Sequence, residues 1–279
     1  MEAPSSINRQ LQHNAAAHDR VAREYNAKHS EIYNPIEQAR LAAVIEDLLR
    51  ACDARPPRVL DFGAGTGNLS LQFSARGCDV VAADVSAKSL DILAGRSTGT
   101  PISTAVLDGP DLPFPDASFD IVATYSVLHH VPDYLHAVAE MARVLRPGGL
   151  MYIDHETSDD AWTPSAALAR YRRKTRLTPA AHLAHLLRTG ELFTFAFAKT
   201  ALMKAFVDRR YEREGDLHVW PDDHIQWSDI EDTAGRHGLE VIRRHDYLLY
   251  RPRGGVALYR EHENACNDTR YIIARKAVR

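Results

Sequence analysis

Cysteine is scarce. The 279 residues contain three, Cys52, Cys78 and Cys266, far apart and matching no metal-ligand spacing. An odd, sparse set argues against a disulfide framework and for free thiols in a reducing compartment. No apolar run is long enough to span a bilayer, and no stretch near Met1 has the form of a signal peptide. A surplus of one charge is missing too. The formal net charge is −3, so no global field draws the chain to nucleic acid or to an anionic membrane. There is no internal repeat and no low-complexity segment, so no repeat architecture is indicated. What is left is ordinary globular composition, 45% hydrophobic and 25% charged. The length suits one large domain, or a domain with an inserted cap, and the expected setting is the cytoplasm.

The chain is organised around Val59-Leu60-Asp61-Phe62-Gly63-Ala64-Gly65-Thr66-Gly67-Asn68. This reads as a buried strand, a glycine-rich turn and the start of a helix. Glycine tolerates positive φ and lets another molecule approach the backbone. The helix start adds free N–H groups and the positive end of a dipole. A dinucleotide fingerprint would read G-x-G-x-x-G. Here the spacing is Gly-x-Gly-x-Gly, with Asp61 two residues ahead. An acid there repels a pyrophosphate but favours an amino-acid ammonium or a sulfonium. A tight strand–helix turn with no ligand would use the same glycines.

Further along, short apolar runs alternate with helical patterns. Asp79–Asp84, Ser103–Asp108, Ser118–Tyr125 and Leu150–Asp154 read as strands after the one ending at Phe62. That alternation predicts a parallel sheet covered by helices on both faces. Ligands in such sheets bind at the carboxyl ends of the strands. Asp61, Asp84, Asp108, His129 and Asp154 all fall at or near those ends. Asp84 lies where an acid accepts from ribose hydroxyls, although it also precedes a helix it could cap. Asp108-Gly109 suits an adenine amine or a simple turn. Ahead of the core, Ile36–Leu49 carries one apolar helical face, and a helical rhythm runs from about Asn14 to Ala27. Tyr25 and Tyr33 in that region serve either packing or contact with a substrate.

Taken together, Asp61 to Gly67, Asp84, Asp108-Gly109 with Leu112-Pro113-Phe114, Phe119-Asp120, Leu128-His129-His130-Val131 and Leu145 to Gly149 resemble the class I S-adenosylmethionine-dependent methyltransferases. The closest likeness is to the small-molecule, ubiquinone/menaquinone C-methyltransferase-like group, over roughly Arg58 to Asp154. Phe62 departs from the aliphatic or small polar residue many relatives carry. The resemblance implies a Rossmann-like seven-stranded, mostly parallel sheet with an antiparallel last hairpin, and S-adenosyl-L-methionine as cofactor. It implies cofactor contacts at Asp61, Gly63, Ala64, Gly65, Gly67, Asp84, Val85, Asp108, Gly109 and Ser126.

The expected organisation is an N-terminal helical lid over 1–57, a cofactor core over 58–154, a helical cap over 155–220 and the rest of the sheet over 221–279. The cap is read as helices over Ala161–Leu177, Pro179–Leu187 and Leu192–Arg213. Its basic cluster, Arg170, Arg172, Arg173, Lys174 and Arg176, is a solvated face or an anionic-substrate site. Ser228 is the expected N-cap of a helix that Gly238 ends, and Tyr271–Arg275 the last strand. Methyl transfer from a sulfonium needs no metal; it needs alignment, exclusion of water and, for an acidic acceptor, a base. His129 is the candidate base, with Asp154 to orient its ring. Otherwise His129 only shapes the pocket, and His130 and His155 are rivals on the substrate side. The expected partner is a small-molecule acceptor, with no nucleic acid; long N-terminal helices and a cap also offer surface for a homo-oligomer. Two other functions compete: a nicotinamide-dependent oxidoreductase on the same fold, which Asp61 opposes, and a non-catalytic cofactor-binding partner subunit.

Overall fold

A computed structural model describes residues 13–16, 18–19, 22, 29–97, 101–176, 187, 202 and 225–278. Residues 13–16 and 18–19 are helical, and helix α1 (Pro35–Ala51) starts where Asn34 caps it, accepting from the Ile36 and Glu37 N–H groups at 3.1 and 3.0 Å. Pro35 is in the first turn, where no donor is lost. Then come β1 (Arg58–Phe62), α2 (Asn68–Ser74), β2 (Asp79–Asp84), α3 (Ala87–Arg96), β3 (Ile102–Val106), β4 (Phe119–Tyr125), a 3-10 turn (Leu128–His130), α4 (Tyr134–Val144) and β5 (Leu145–Thr157). The chain continues through α5 (Asp159–Trp162) and α6 (Ala166–Thr175). After the next described stretch begins, α7 (Trp227–Arg236), β6 (Leu239–Tyr247), α8 (Gly255–His262) and β7 (Thr269–Lys276) complete it.

The seven strands lie in the order β3-β2-β1-β4-β5-β7-β6. The first five pair in parallel, and β7 runs antiparallel to both β5 and β6. Alternate residues of the central strands enter opposite layers. Val59, Val80, Ile121, Tyr152 and Ile273 pack with Leu41, Ile45 and Leu48 of α1 and Phe73 of α2. Their neighbours Leu60, Val81, Val122, Met151 and Ile272 pack with Met141 of α4 and Trp227 and Ile230 of α7. Burial on both faces explains why these strands read as near-continuous apolar runs. Each fully buried leucine, such as Leu48, contributes about 1.5–3 kcal/mol.

β2 and β4 flank β1 on opposite sides, so the chain leaves β1 in one direction and returns in the other. That switch opens a crevice at the carboxyl ends, where ligands of such sheets lie. Several boundaries differ from expectation. β5 begins at Leu145, which pairs with Phe119, ahead of the strand expected from Leu150, so Arg146 to Gly149 form an irregular stretch of strand. The expected long helix after Ala161 is two helices, because Ser165 caps α6 at Leu168 N. α7 is preceded by Gln226, and Ser228 is inside the helix rather than its cap. Apart from Leu187 and Leu202, both helical, the helices expected over Pro179–Leu187 and Leu192–Arg213, most of the cap, lie outside the described residues, as does Tyr25.

Candidate active site

The glycine turn after β1 closes over the end of β2: Gly63 N and Ala64 N both donate to Ala83 O, at 2.8 and 3.1 Å. Gly63, Gly65 and Gly67 all have positive φ. A Cβ on Gly63 would collide with Val127 and one on Gly67 with Leu93, whereas one on Gly65 meets nothing within 4 Å. The first and third glycines are therefore required by packing, and the second leaves open backbone facing the crevice. Gly65 N donates to Asp84 Oδ2 at 2.7 Å, and Ser86 N to Asp84 Oδ1 at 2.8 Å. Asp61 accepts at one oxygen, Oδ2, from Ser70 N at 2.9 Å and Ser70 Oγ at 2.6 Å, in the first turn of α2.

Both carboxylates are buried and both line the cavity at the strand ends. Burial pushes the Asp61 carboxyl up to about 7, against the Ser70 hydrogen bonds and with help from the charge of Asp84. Burial also raises Asp84, against its bonds from Ser86 and Gly65. The cavity's lining includes no lysine or arginine among the described residues. This donor and acceptor set fits a cationic nucleoside: two buried acids with no lysine or arginine in the described lining, bare backbone at Gly65, and apolar walls from Val85, Leu107 and Leu112. Of the expected contacts, Ala64, Gly109 and Ser126 also line the cavity, and Ser126 does so with φ 59°. Gly67 shapes the turn without facing it. Asp108 is corrected: β3 ends at Val106, and Asp108 is exposed beyond it, outside the lining.

Residues ahead of the core fold across the opening. Asn14 and His18 line the cavity, Asn14 Nδ2 donating to His130 O at 3.0 Å. Asp19 Oδ1 accepts from Ser86 Oγ at 2.5 Å and from Lys88 N at 3.3 Å, at the start of α3. Tyr33 lines the cavity as well, its hydroxyl 3.4 Å from Thr66 Oγ1.

The histidines after β4 are arranged differently from expectation. His130 lines the cavity, and the His129 ring is stacked at a tilt against it, 3.9 Å between centroids. His129 Nδ1 is 2.8 Å from Glu156 Oε2. Glu156 is 1% exposed, and its other oxygen accepts from Val127 N and Leu128 N, both at 2.8 Å. Asp154 does not orient His129. It is fully buried toward α1, accepting from Arg40 Nη2 at 2.7 Å, Tyr247 Oη at 3.0 Å and Tyr152 Oη. The cause is a β-bulge. Ile153 pairs with Ile272 but Glu156 with Arg270, and His155 between them has φ 63°. An extra residue reverses the alternation, so Asp154 and Glu156 face different neighbours. His155 is turned away from the cavity lining and stacks on Tyr125, its Nδ1 2.8 Å from the tyrosine hydroxyl. The basic cluster on α6 is mainly a surface face. Arg170, Arg173, Lys174 and Arg176 are exposed, while Arg172 donates to Ala161 O at 2.9 Å.

One group of metal-type ligands occurs among the described residues, Asp111, His136 and Glu140. Arg143 already holds both Glu140 oxygens at 2.7 Å.

Comparison with known proteins agrees with this geometry. Residues 60–153 match the methyltransferase domain family. The chain is 34% identical over 168 residues to a demethylmenaquinone methyltransferase of Beutenbergia cavernae, covering 60% of this chain and 67% of that one. It is 37% identical over 115 residues to the 27-O-demethylrifamycin SV methyltransferase of Amycolatopsis mediterranei, covering 39% and 40%. In fold it matches magnesium protoporphyrin IX methyltransferase from Synechocystis PCC 6803, solved with bound SAH, at TM-score 0.52 and 16% identity over 94% of this chain and all of that one.

Proposed function

Because this chain belongs to the class I S-adenosylmethionine-dependent methyltransferases of the quinone-methyltransferase type, we propose that it methylates an acidic O–H or C–H group on a small molecule, with His129 as general base. The pair of His129 with buried Glu156, beside the acid-lined cavity, carries this reading. When bound, S-adenosylmethionine supplies the electrophilic methyl group and a sulfur leaving group. The protein's own residues supply the rest. Asp84 offers its outer lone pairs to a ribose diol, and Val85, Leu107 and Leu112 offer apolar surface to a base ring. Asp61 offers negative charge to the amino-acid or sulfonium end. Glu156 accepts the His129 Nδ1 proton, which puts the basic lone pair on Nε2 and stabilises the imidazolium that forms. His129 itself is outside the cavity lining; its ring stacks on His130, which lines the cavity, and an acceptor docked against His130 would lie beside it. Asn14, His18 and Tyr33 act as a lid, and residues 155–220 as the cap that selects the acceptor.

Two relatives bear the names of small molecules, a demethylmenaquinone and a demethylrifamycin, which supports a quinone, lipid or specialised-metabolite acceptor. No described helix is long and apolar enough to cross a membrane. Sparse cysteine and the net charge of −3 support a cytoplasmic enzyme that does not act on nucleic acid. The test is turnover on a panel of phenolic and quinol acceptors with His129→Gln and Glu156→Gln. Each should lower kcat by about 10²–10⁴-fold with S-adenosylhomocysteine affinity unchanged. Full turnover in His129→Gln would remove the base role.

A further inference from the structure

A buried ionic cluster that no step above uses lies between α1 and the ends of β4, β5 and β6. Arg40 grips Glu37 with Nε at 3.1 and 3.0 Å from its two oxygens, and reaches Asp154 Oδ2 through Nη2 at 2.7 Å. The Arg40 guanidinium also lies 4.0 Å from the centroid of the Tyr247 ring. Glu37 is 2% exposed and Asp154 0%. One guanidinium thus serves two buried carboxylates; the other group beside them able to carry positive charge is the His155 imidazole, its Nδ1 3.7 Å from Glu37 Oε1. Burial alone would push the Glu37 carboxyl up, but bonds from His155 and Arg40 and the charge of Arg40 overcome it and leave it lowered to about 2. A cluster meant only to bolt α1 to the sheet would need one acid per base, since buried excess charge is costly.

The excess is connected to the cavity. Tyr125, the last residue of β4, lines it, and Tyr125 Oη donates to Glu37 Oε1 at 2.8 Å. In the methyltransferase reading the acceptor docks beside His130, past the carboxyl end of β4, and the methyl-donating end of a bound cofactor would be directed toward it. We propose that Glu37 is a specificity-determining residue, whose carboxylate, one hydrogen bond outside the cavity, favours the cationic sulfonium cofactor over its neutral thioether product. The proposal rests on the methyltransferase reading of the site, which sets where the sulfur lies. Arg40, already shared between both acids, is the cation that opposes this field; no lysine or arginine is in the described lining, and in a poorly screened interior the net charge acts over several ångströms.

The experiment is calorimetric titration of the full chain with S-adenosylmethionine and, separately, S-adenosylhomocysteine. It is run at pH 8, above the ordinary imidazole range. Glu37→Gln and Asp154→Asn each delete one charge of the cluster at nearly constant shape. Both should weaken S-adenosylmethionine binding about tenfold and leave S-adenosylhomocysteine within about twofold. Having two variants guards against one that fails to fold. Equal weakening of both ligands would reduce the cluster to a structural prop, and unchanged affinities would remove it from the site; either result overturns the proposal. An unmodified protein that binds neither ligand would instead sink the underlying reading of the site.

Discussion

Asp61 makes the affinity for a cationic cofactor depend on pH in a way that can be worked out beforehand. Burial pushes its carboxyl up to about 7, against the hydrogen bonds from Ser70. A cation bound beside it requires the ionised form. The apparent dissociation constant is then the intrinsic one divided by the ionised fraction. At pH 8 about nine-tenths of Asp61 is ionised and at pH 6 about one-tenth, so affinity should fall about tenfold between them. Binding at pH 7 should release about half a proton, measurable by calorimetry in buffers of different ionisation enthalpy. Asp84 is raised in the same direction, and His18 and His130 also line the cavity. The Asp61→Asn variant separates these: it should bind weakly at every pH and lose most of the tenfold slope. S-adenosylhomocysteine keeps the ammonium but not the sulfonium. A slope shared by both ligands would put Asp61 at the ammonium, and a slope for S-adenosylmethionine alone at the sulfur. Flat affinity from pH 6 to 8 for both, in the unmodified protein, would refute the reasoning.

Other outcomes are as definite. Gly67→Ala combines a φ of 99° with a collision against Leu93, and should cost about 1–3 kcal/mol, seen as a Tm lowered by several degrees in thermal melts. Asp19→Ala releases the segment carrying Asn14 and His18 from the Ser86 hydroxyl. It should raise the cofactor's dissociation rate several-fold in stopped-flow fluorescence with little change in association, since lost contacts are usually read in dissociation. Saturating S-adenosylhomocysteine at about 100 times its Kd should stabilise the protein by about 2.7 kcal/mol, measured as a shift in denaturant midpoint.

The core of the fold was legible in the sequence because its signals were local. Strand ends, glycines and capping residues are read over a few positions, and Asp61, Gly65 and Asp84 came together as their spacing implied. What depended on a single irregularity was not. Asp154 and Glu156 sit two apart in one strand and share a face by simple alternation, so nothing marked the acid that meets His129. The bulge at His155 decides it, and a left-handed histidine has no sequence signature. Asp108 looked like a strand-end acid, but β3 stops two residues earlier. Glu37 and Arg40 read as the polar face of an amphipathic helix; burial against β5 and β6 makes them a buried pair, a fact of tertiary packing alone.

The place of β7 has a bearing on how this protein is made. β7 lies between β5 and β6 although it follows both in sequence. While a ribosome is still synthesising residues 269–276, β5 has one unpaired edge and β6 has no partner at all. Glu156, which pairs with His129, belongs to the strand with that open edge. Every nascent chain therefore passes through a stage in which the cofactor half is complete and the edge beside the histidines is exposed to other strands. Substitutions that weaken Tyr271, Ile272 or Ile273 should be felt first as poor yield of soluble protein, before any loss shows in the chemistry of the molecules that do fold.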